Sequence, residues 1–206
     1  MQFNSTMPIT LTTATLRAQG AAAGRKLESC NTSEVATCFA NMINGGDIDL
    51  VPGTMSSWDG LYTPQLFLLN KYASIACNED GGACVWQGAA TRGVVMIDTN
   101  GGTTTLRSIT IKDGDASSGG GLFVWSSNVD LILIDFIDNV ASSGGAIFVS
   151  AGSSTVNLQG CSLAGNIAST GPDVYNNAKT VVISGWCPEG EDKPIRPSPP
   201  FVPSLH

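Results

Sequence analysis

Three segments of this chain repeat one another at a nearly constant spacing, and this internal repeat restricts the possible folds more than any other feature. Residues 106–124 align without gaps with residues 131–149, and residues 158–175 form a third copy. A repeat unit of roughly 20 to 50 residues cannot bury its own apolar face, so such units stack on one another. Leucine-rich repeats have a similar period, but the leucine spacing that defines them is absent. Because no apolar run within the copies is long enough for a helix, the sequence predicts an all-β fold, a right-handed parallel β-helix.

Equivalent residues of successive copies are expected to lie in columns, since neighbouring strands of a sheet are about 4.8 Å apart. Inward-facing columns should be apolar in every copy. Three columns meet this condition: Ile109, Ile134 and Cys161; Ile111, Phe136 and Leu163; and Leu122, Ile147 and Val174. A fourth column, with Gly114, Asn139 and Asn166, is predicted to form a ladder at a turn, because glycine and asparagine tolerate left-handed backbone.

The middle copy contains the string Phe136-x-x-Asn139 followed by Gly144-Gly145-Ala146-Ile147. It is similar to the F-x-x-N and G-G-A-I units of the polymorphic outer-membrane protein family, and the resemblance extends over residues 106–175. The resemblance implies a right-handed β-helix and an adhesive role. The segment Ile48-x-Leu50-x-Pro52-Gly53-Thr54, together with a helix predicted before it, resembles the N-terminal cap and first rung of pectin-lyase-like β-helices.

The two ends of the chain differ in composition from the repeats. Residues 1–29 are predicted to be a targeting-like or flexible extension, because residues 1–27 contain basic residues but no acid. A short capping helix is predicted at about 32–44, where an amphipathic pattern follows Asn31 as a potential N-cap. The β-helix domain is predicted over 30–187. Residues 188–206 include six prolines and are predicted to be an extended tail.

The chain has six cysteines, an even number that indicates disulfides and an oxidising compartment, such as the cell exterior, the cell surface or an organelle lumen. We expect the pairs Cys30–Cys38 at the capping helix, Cys77–Cys84 around a short loop, and Cys161–Cys187 between adjacent rungs. Six cysteines allow 15 connectivities, and buried reduced thiols are the alternative. Because there is no C-x-x-C motif and the single histidine is His206, no zinc or other metal site and no cofactor is predicted.

The charge of the chain restricts its partners. The formal net charge is −7 and no basic cluster occurs, which argues against nucleic acid as a ligand because phosphate binding needs concentrated lysine and arginine. No apolar run of about 18 residues is present, so no membrane-spanning helix is predicted. The partners that remain are a protein or a glycan.

Acidic residues in the repeats are the weak candidates for catalysis. Asp113 and Asp138 are equivalent in successive copies, and two carboxylates about 5 Å apart can serve a retaining glycosidase or hold a cation. Lys112 and Arg107 would complete a lyase-like site. Asp115 and Asp135 lie close by in the sequence and are candidate binding residues. The alternative is that these acids are solvated turn residues, which are common on the surface of proteins.

Trp125 is the remaining candidate binding residue. Its equivalents in the next copies are Ser150 and Asn177, so a large ring occupies an otherwise polar column. Such a ring can serve as a sugar-stacking platform or as an anchor at an interface, or it can cover the core beside Phe123. The sequence therefore predicts a non-catalytic binding, adhesion or structural module, possibly one subunit of a larger assembly. A polysaccharide lyase, epimerase or hydrolase of pectin-lyase-like fold is the alternative.

Overall fold

The computed structural model of the protein describes residues 27–31, 38, 41, 44–56, 66–78, 82–88, 92–150 and 155–177. These residues form a parallel β-solenoid of about four turns. Every pair of neighbouring strands in it is parallel. The fold class predicted from the repeat is therefore confirmed.

Four sheets run along the axis of the solenoid, and a coil contributes at most one strand to each sheet. Sheet A contains β1 (Leu27–Asn31), β2 (Gly46–Val51), β5 (Ala73–Cys77), β8 (Thr103–Arg107), β12 (Asn128–Ile132) and β16 (Thr155–Gln159). Sheet B contains β3 (Gly53–Ser56), β6 (Cys84–Gln87), β9 (Ile109–Lys112), β13 (Asp135–Ile137) and β17 (Ser162–Ala164). Sheet C contains β4 (Leu66–Leu69), β7 (Val95–Asp98), β11 (Leu122–Trp125), β15 (Ile147–Val149) and β19 (Val174–Asn176). Sheet D contains β10 (Asp115–Ser118), β14 (Val140–Ser143) and β18 (Ile167–Thr170).

The strand register follows the internal repeat. Phe136 pairs with Ile111 on one side and with Leu163 on the other, as the alignment of the copies predicts. All members of the three predicted inward columns are buried, except Val174, which is partly buried against the core. Burial alternates along strands such as β12 and β16, because successive side chains of a strand point to opposite faces. The apolar core is therefore one continuous stack inside the coils.

The column of Gly114, Asn139 and Asn166 forms a hydrogen-bonded ladder inside the corner between sheets B and D. The N–H of Gly114 donates to Asn139 Oδ1 at 3.0 Å, and the N–H of Asn139 donates to Asn166 Oδ1 at 3.1 Å. Asn139 Nδ2 donates to the carbonyl oxygen of Ile111 at 3.1 Å and to Asn166 Oδ1 at 3.0 Å. The ladder is therefore confirmed, and it satisfies backbone groups that the turn would otherwise leave buried without a partner.

The expected left-handed backbone does not belong to these asparagines. It lies one residue earlier, at Asp113 and Asp138, whose φ values are 55° and 53°. Asn139 is fully buried, and its amide contributes to the turn by forming hydrogen bonds in the interior, not by adopting a positive φ. Aspartate also visits this conformation, since its short polar side chain bonds locally.

Two of the three predicted disulfides are confirmed. Cys30 is bonded to Cys38 and Cys77 to Cys84, with Cα–Cα distances of 6.4 Å and 5.7 Å. Cys187 lies outside the described residues, so its pairing with the buried Cys161 stays a prediction.

The ends of the solenoid are described only in part. β1 begins at Leu27 and pairs with β2, so the sheet begins three residues before the domain boundary predicted at 30. The predicted capping helix at about 32–44 falls almost entirely on residues that are not described, as do the remainder of the 1–29 extension and the 188–206 tail. Within the part of the chain that the structure covers, no helix is long and apolar enough to cross a membrane.

Candidate functional site

Asp113 and Asp138 lie at the corner between sheets B and D, one rung apart. Each follows the last residue of its sheet B strand, β9 or β13, and Lys112 pairs in register with Ile137. The N–H of Asp113 donates to the carbonyl oxygen of Ile137 at 3.1 Å. The prediction that the two acids occupy equivalent positions is therefore correct for the backbone.

Their carboxylates nevertheless point away from each other along the solenoid axis. Gln87 Nε2, on the rung before, donates to Asp113 Oδ2 at 2.8 Å, and Lys112 Nζ lies 3.4 Å from the same oxygen. The carboxylate of Asp138 instead leans over Gly165 on the following rung, where it occupies the place that a Cβ on that glycine would take. The two acids thus contact different rungs, and they do not frame a common space for a substrate.

Asp115 and Asp135 lie on two different sheets. Asp115 is the first residue of β10 in sheet D, and Asp135 is the first residue of β13 in sheet B, between Thr110 and Ser162. Both are exposed. Partial burial nevertheless raises the pKa of the Asp135 carboxyl above its usual value. Asp115 and Asp135 therefore do not share one face of one sheet, as a pair of carboxylates on neighbouring strands would.

The outer face of sheet C carries a row of stacked aromatic rings, which the sequence analysis did not identify. Phe123, Phe148 and Tyr175 follow one another on β11, β15 and β19 in strand register. The ring centroids of Phe123 and Phe148 are 5.1 Å apart and those of Phe148 and Tyr175 are 5.2 Å apart, with interplanar angles of 5° and 19°. We call these three residues the aromatic row. All three side chains are partly exposed, and Phe123 and Phe148 alternate with buried residues along their strands.

Trp125 lies beside the aromatic row and is more exposed than the three rings of that row. Its side chain is 46% exposed, and its ring centroid is 6.1 Å from that of Phe123, with an interplanar angle of 17°. Trp125 pairs with Asp98 on the rung before, while Ser150 and Asn177 continue its column on the two rungs that follow. The predicted equivalents of Trp125 are therefore correct, and polar residues precede and follow the indole on the neighbouring rungs of its column.

The signal for the aromatic row was present in the sequence. Phe123 and Phe148 follow the inward residues Leu122 and Ile147 of the first two copies, and Tyr175 follows Val174 of the third. The three apolar columns predicted from the repeat face inward, so they do not include these rings. The same alignment applied to outward columns would have identified an aromatic column, because side chains alternate between the two faces of a strand.

Comparison with family models, with curated proteins and with solved structures finds no match to this chain. Function must therefore be inferred from the residues and the geometry of the chain itself.

Proposed function

We propose that this protein is a non-catalytic binding module, adhesive or structural in role, whose ligand contacts the outer face of sheet C. The observation that carries this proposal is the half-exposed indole of Trp125 beside the aromatic row. Large aromatic side chains contribute most of the binding energy at many interfaces, because they bury a large apolar area while losing few rotamers.

The backbone of sheet C favours binding because it orders the rings before a ligand arrives. Phe123 and Phe148 lie on strands whose neighbours on both sides are paired in register. Neighbouring rings restrict one another further, since they stack along the row. A surface that is already ordered loses less conformational entropy on association, and more of the contact energy remains as affinity.

Two further features agree with a binding role. The F-x-x-N and G-G-A-I units resemble those of the polymorphic outer-membrane protein family, for which the resemblance implies adhesion. The two disulfides are consistent with an oxidising compartment, and we propose a secreted, cell-surface or organelle-lumen location. No specific observation favours the enzyme alternative, because the carboxylates of Asp113 and Asp138 contact different rungs.

The test is a screen of the purified protein against immobilised neutral polysaccharides, acidic polysaccharides and extracellular proteins, in which retention and bond cleavage are scored separately. We expect retention without cleavage. The substitution Trp125→Ala should weaken retention about tenfold or more, as for a central interface aromatic. The matched control is Ile167→Ala, which truncates a 63% exposed apolar side chain on sheet D and should leave retention unchanged.

Two results would contradict the proposal. Cleavage that disappears in Asp113→Asn or Asp138→Asn would make the protein an enzyme. Retention that is equal in the wild type and Trp125→Ala would show that the ligand does not bind at the outer face of sheet C.

A further inference from the structure

Resting on the proposed function, we infer that the ligand is a neutral glycan and that one of its pyranose rings stacks on the indole of Trp125. The inference depends on three properties of sheet C: the orientation of its rings, the polar groups around Trp125 and the charge of the outer face.

The rings of this face share nearly one orientation. The interplanar angles are 17° between Trp125 and Phe123, 5° between Phe123 and Phe148, and 19° between Phe148 and Tyr175. Because the members of the aromatic row come from successive rungs, their ring faces point along the solenoid axis. Phe148 is therefore covered on both faces by other rings, and the row presents mainly ring edges to solvent.

Trp125 differs from the aromatic row in what lies before and after it along the axis. The preceding rung places Asp98 in its column and the following rung places Ser150. A hydroxymethyl group covers far less of an indole than a phenyl ring does, and no described ring stacks on Trp125 from a neighbouring rung. The indole is thus the place on this face where a flat apolar surface of a ligand can stack.

The groups around the indole suit a ligand that carries hydroxyls. Asp98 forms no side-chain hydrogen bond or ion pair with any residue that the structure describes, so its carboxylate can accept hydrogen bonds from two hydroxyls. Asn177 lies two rungs beyond Trp125 in the same column, where it is exposed and offers both a donor and an acceptor to a longer ligand. A pyranose has an apolar C–H face and a rim of hydroxyls, which matches a ring surface bordered by the Asp98 carboxylate.

The charge of the face indicates that this glycan is neutral. None of the five strands of sheet C contains a lysine or arginine, while Asp98 places a carboxylate next to Trp125. The whole chain has a formal net charge of −7. Uronate or sulfate groups would meet like charge at Asp98, with no cation on these strands to pair with, and such juxtaposition opposes binding.

The experiment is a titration followed by the ¹H–¹⁵N signals of the tryptophan indoles, with the Trp125 signal assigned from its loss in Trp125→Phe. The probes are neutral oligosaccharides of glucose, mannose, galactose, xylose and N-acetylglucosamine, with a galacturonate hexamer as the charged control. We expect the Trp125 signal to shift with at least one neutral oligosaccharide and not with galacturonate. Asp98→Asn should weaken that binding several-fold, and Ile167→Ala should not change it.

The inference is overturned if no neutral oligosaccharide shifts the Trp125 signal, or if galacturonate shifts it more strongly. It is also overturned if the signal moves with protein concentration alone, which would identify a second copy of the chain as the occupant. Failure of the proposed function gives a different result. If an acidic polysaccharide or a protein is retained in a Trp125-dependent way, the proposed binding function is supported and only the inference of a neutral glycan is wrong. If no ligand depends on Trp125, both are wrong.

Discussion

The buried amide of Asn139 offers the sharpest test of what holds the coils in register. Its Oδ1 accepts the N–H of Gly114, and its Nδ2 donates to the carbonyl oxygen of Ile111 and to Asn166 Oδ1. The side chain is fully buried, so water cannot replace these partners. Asn139→Ala removes all three hydrogen bonds at once without adding bulk to the corner.

The cost follows from what the substitution leaves behind. A buried donor without a partner costs about 1 to 3 kcal/mol, and the N–H of Gly114 becomes such a donor. The remaining two hydrogen bonds contribute about 1 kcal/mol each, although a carbonyl oxygen tolerates the loss of one partner better than an N–H does. We therefore expect Asn139→Ala to lower the free energy of unfolding by about 3 kcal/mol.

The matched control is Asn157→Ala on the outer face of sheet A. Asn157 Nδ2 donates to Asp130 Oδ1 at 2.6 Å, but the pair is only partly buried. Water can solvate the carboxylate of Asp130 after the substitution, so we expect a loss of about 1 kcal/mol or less. Urea unfolding followed by circular dichroism, with the disulfides intact, measures both changes. Equal losses in the two variants would refute the reasoning that burial of the Asn139 amide sets its contribution.

Two further predictions concern the corners and the pH dependence of stability. A Cβ on Gly120 would press against the carbonyl oxygens of Val140 and Gly145, whereas a Cβ on Gly101 would meet nothing within 4 Å and would be disfavoured only by the positive φ of 92°. Gly101→Ala should therefore cost about 1 to 2 kcal/mol, and Gly120→Ala should lower Tm more. The reverse order would contradict the close stacking of this corner. Burial raises the pKa of the Asp135 carboxyl in the folded protein. The contribution of this carboxyl to stability is therefore greatest below its pKa in the unfolded chain and is lost as the pH rises through its pKa in the folded protein. Asp135→Asn should consequently raise Tm at pH 7 and change it little near pH 3. A larger gain at the acidic pH would show that the sign is wrong.

The repeat predicted the core because an inward column has few alternatives. A side chain that points into a coil must be apolar and must fit between its equivalents on the neighbouring rungs. The alignment of three copies therefore predicted that Ile111, Phe136 and Leu163 are neighbours, and the strand register confirms this. Sequence proximity was sufficient to predict the disulfides Cys30–Cys38 and Cys77–Cys84, whose members are 8 and 7 residues apart.

The corners were harder to predict because one residue type can satisfy two different demands. Asparagine favours both left-handed backbone and buried amide hydrogen bonds, and the sequence does not say which use applies to Asn139. The structure assigns the positive φ to Asp138 and the hydrogen bonds to Asn139. For the same reason, the equivalence of Asp113 and Asp138 in the repeat did not predict the direction of their carboxylates, which depends on Gln87 before them and Gly165 after them.

Outward columns are less constrained in residue type than inward ones, because their side chains need not fit inside a coil. An outward column that departs from polar character, as on sheet C, therefore needs an explanation. The outward column of Thr110, Asp135 and Ser162 on sheet B is polar, as solvent contact allows. The aromatic row departs from this rule, but stacking between rungs explains much of it, because each ring stabilises its neighbours. Trp125 contacts Phe123 of this row, but it has Asp98 and Ser150 along its own column and remains 46% exposed. Since that contact leaves nearly half of the indole open to solvent, a ligand is the partner that we expect it to contact.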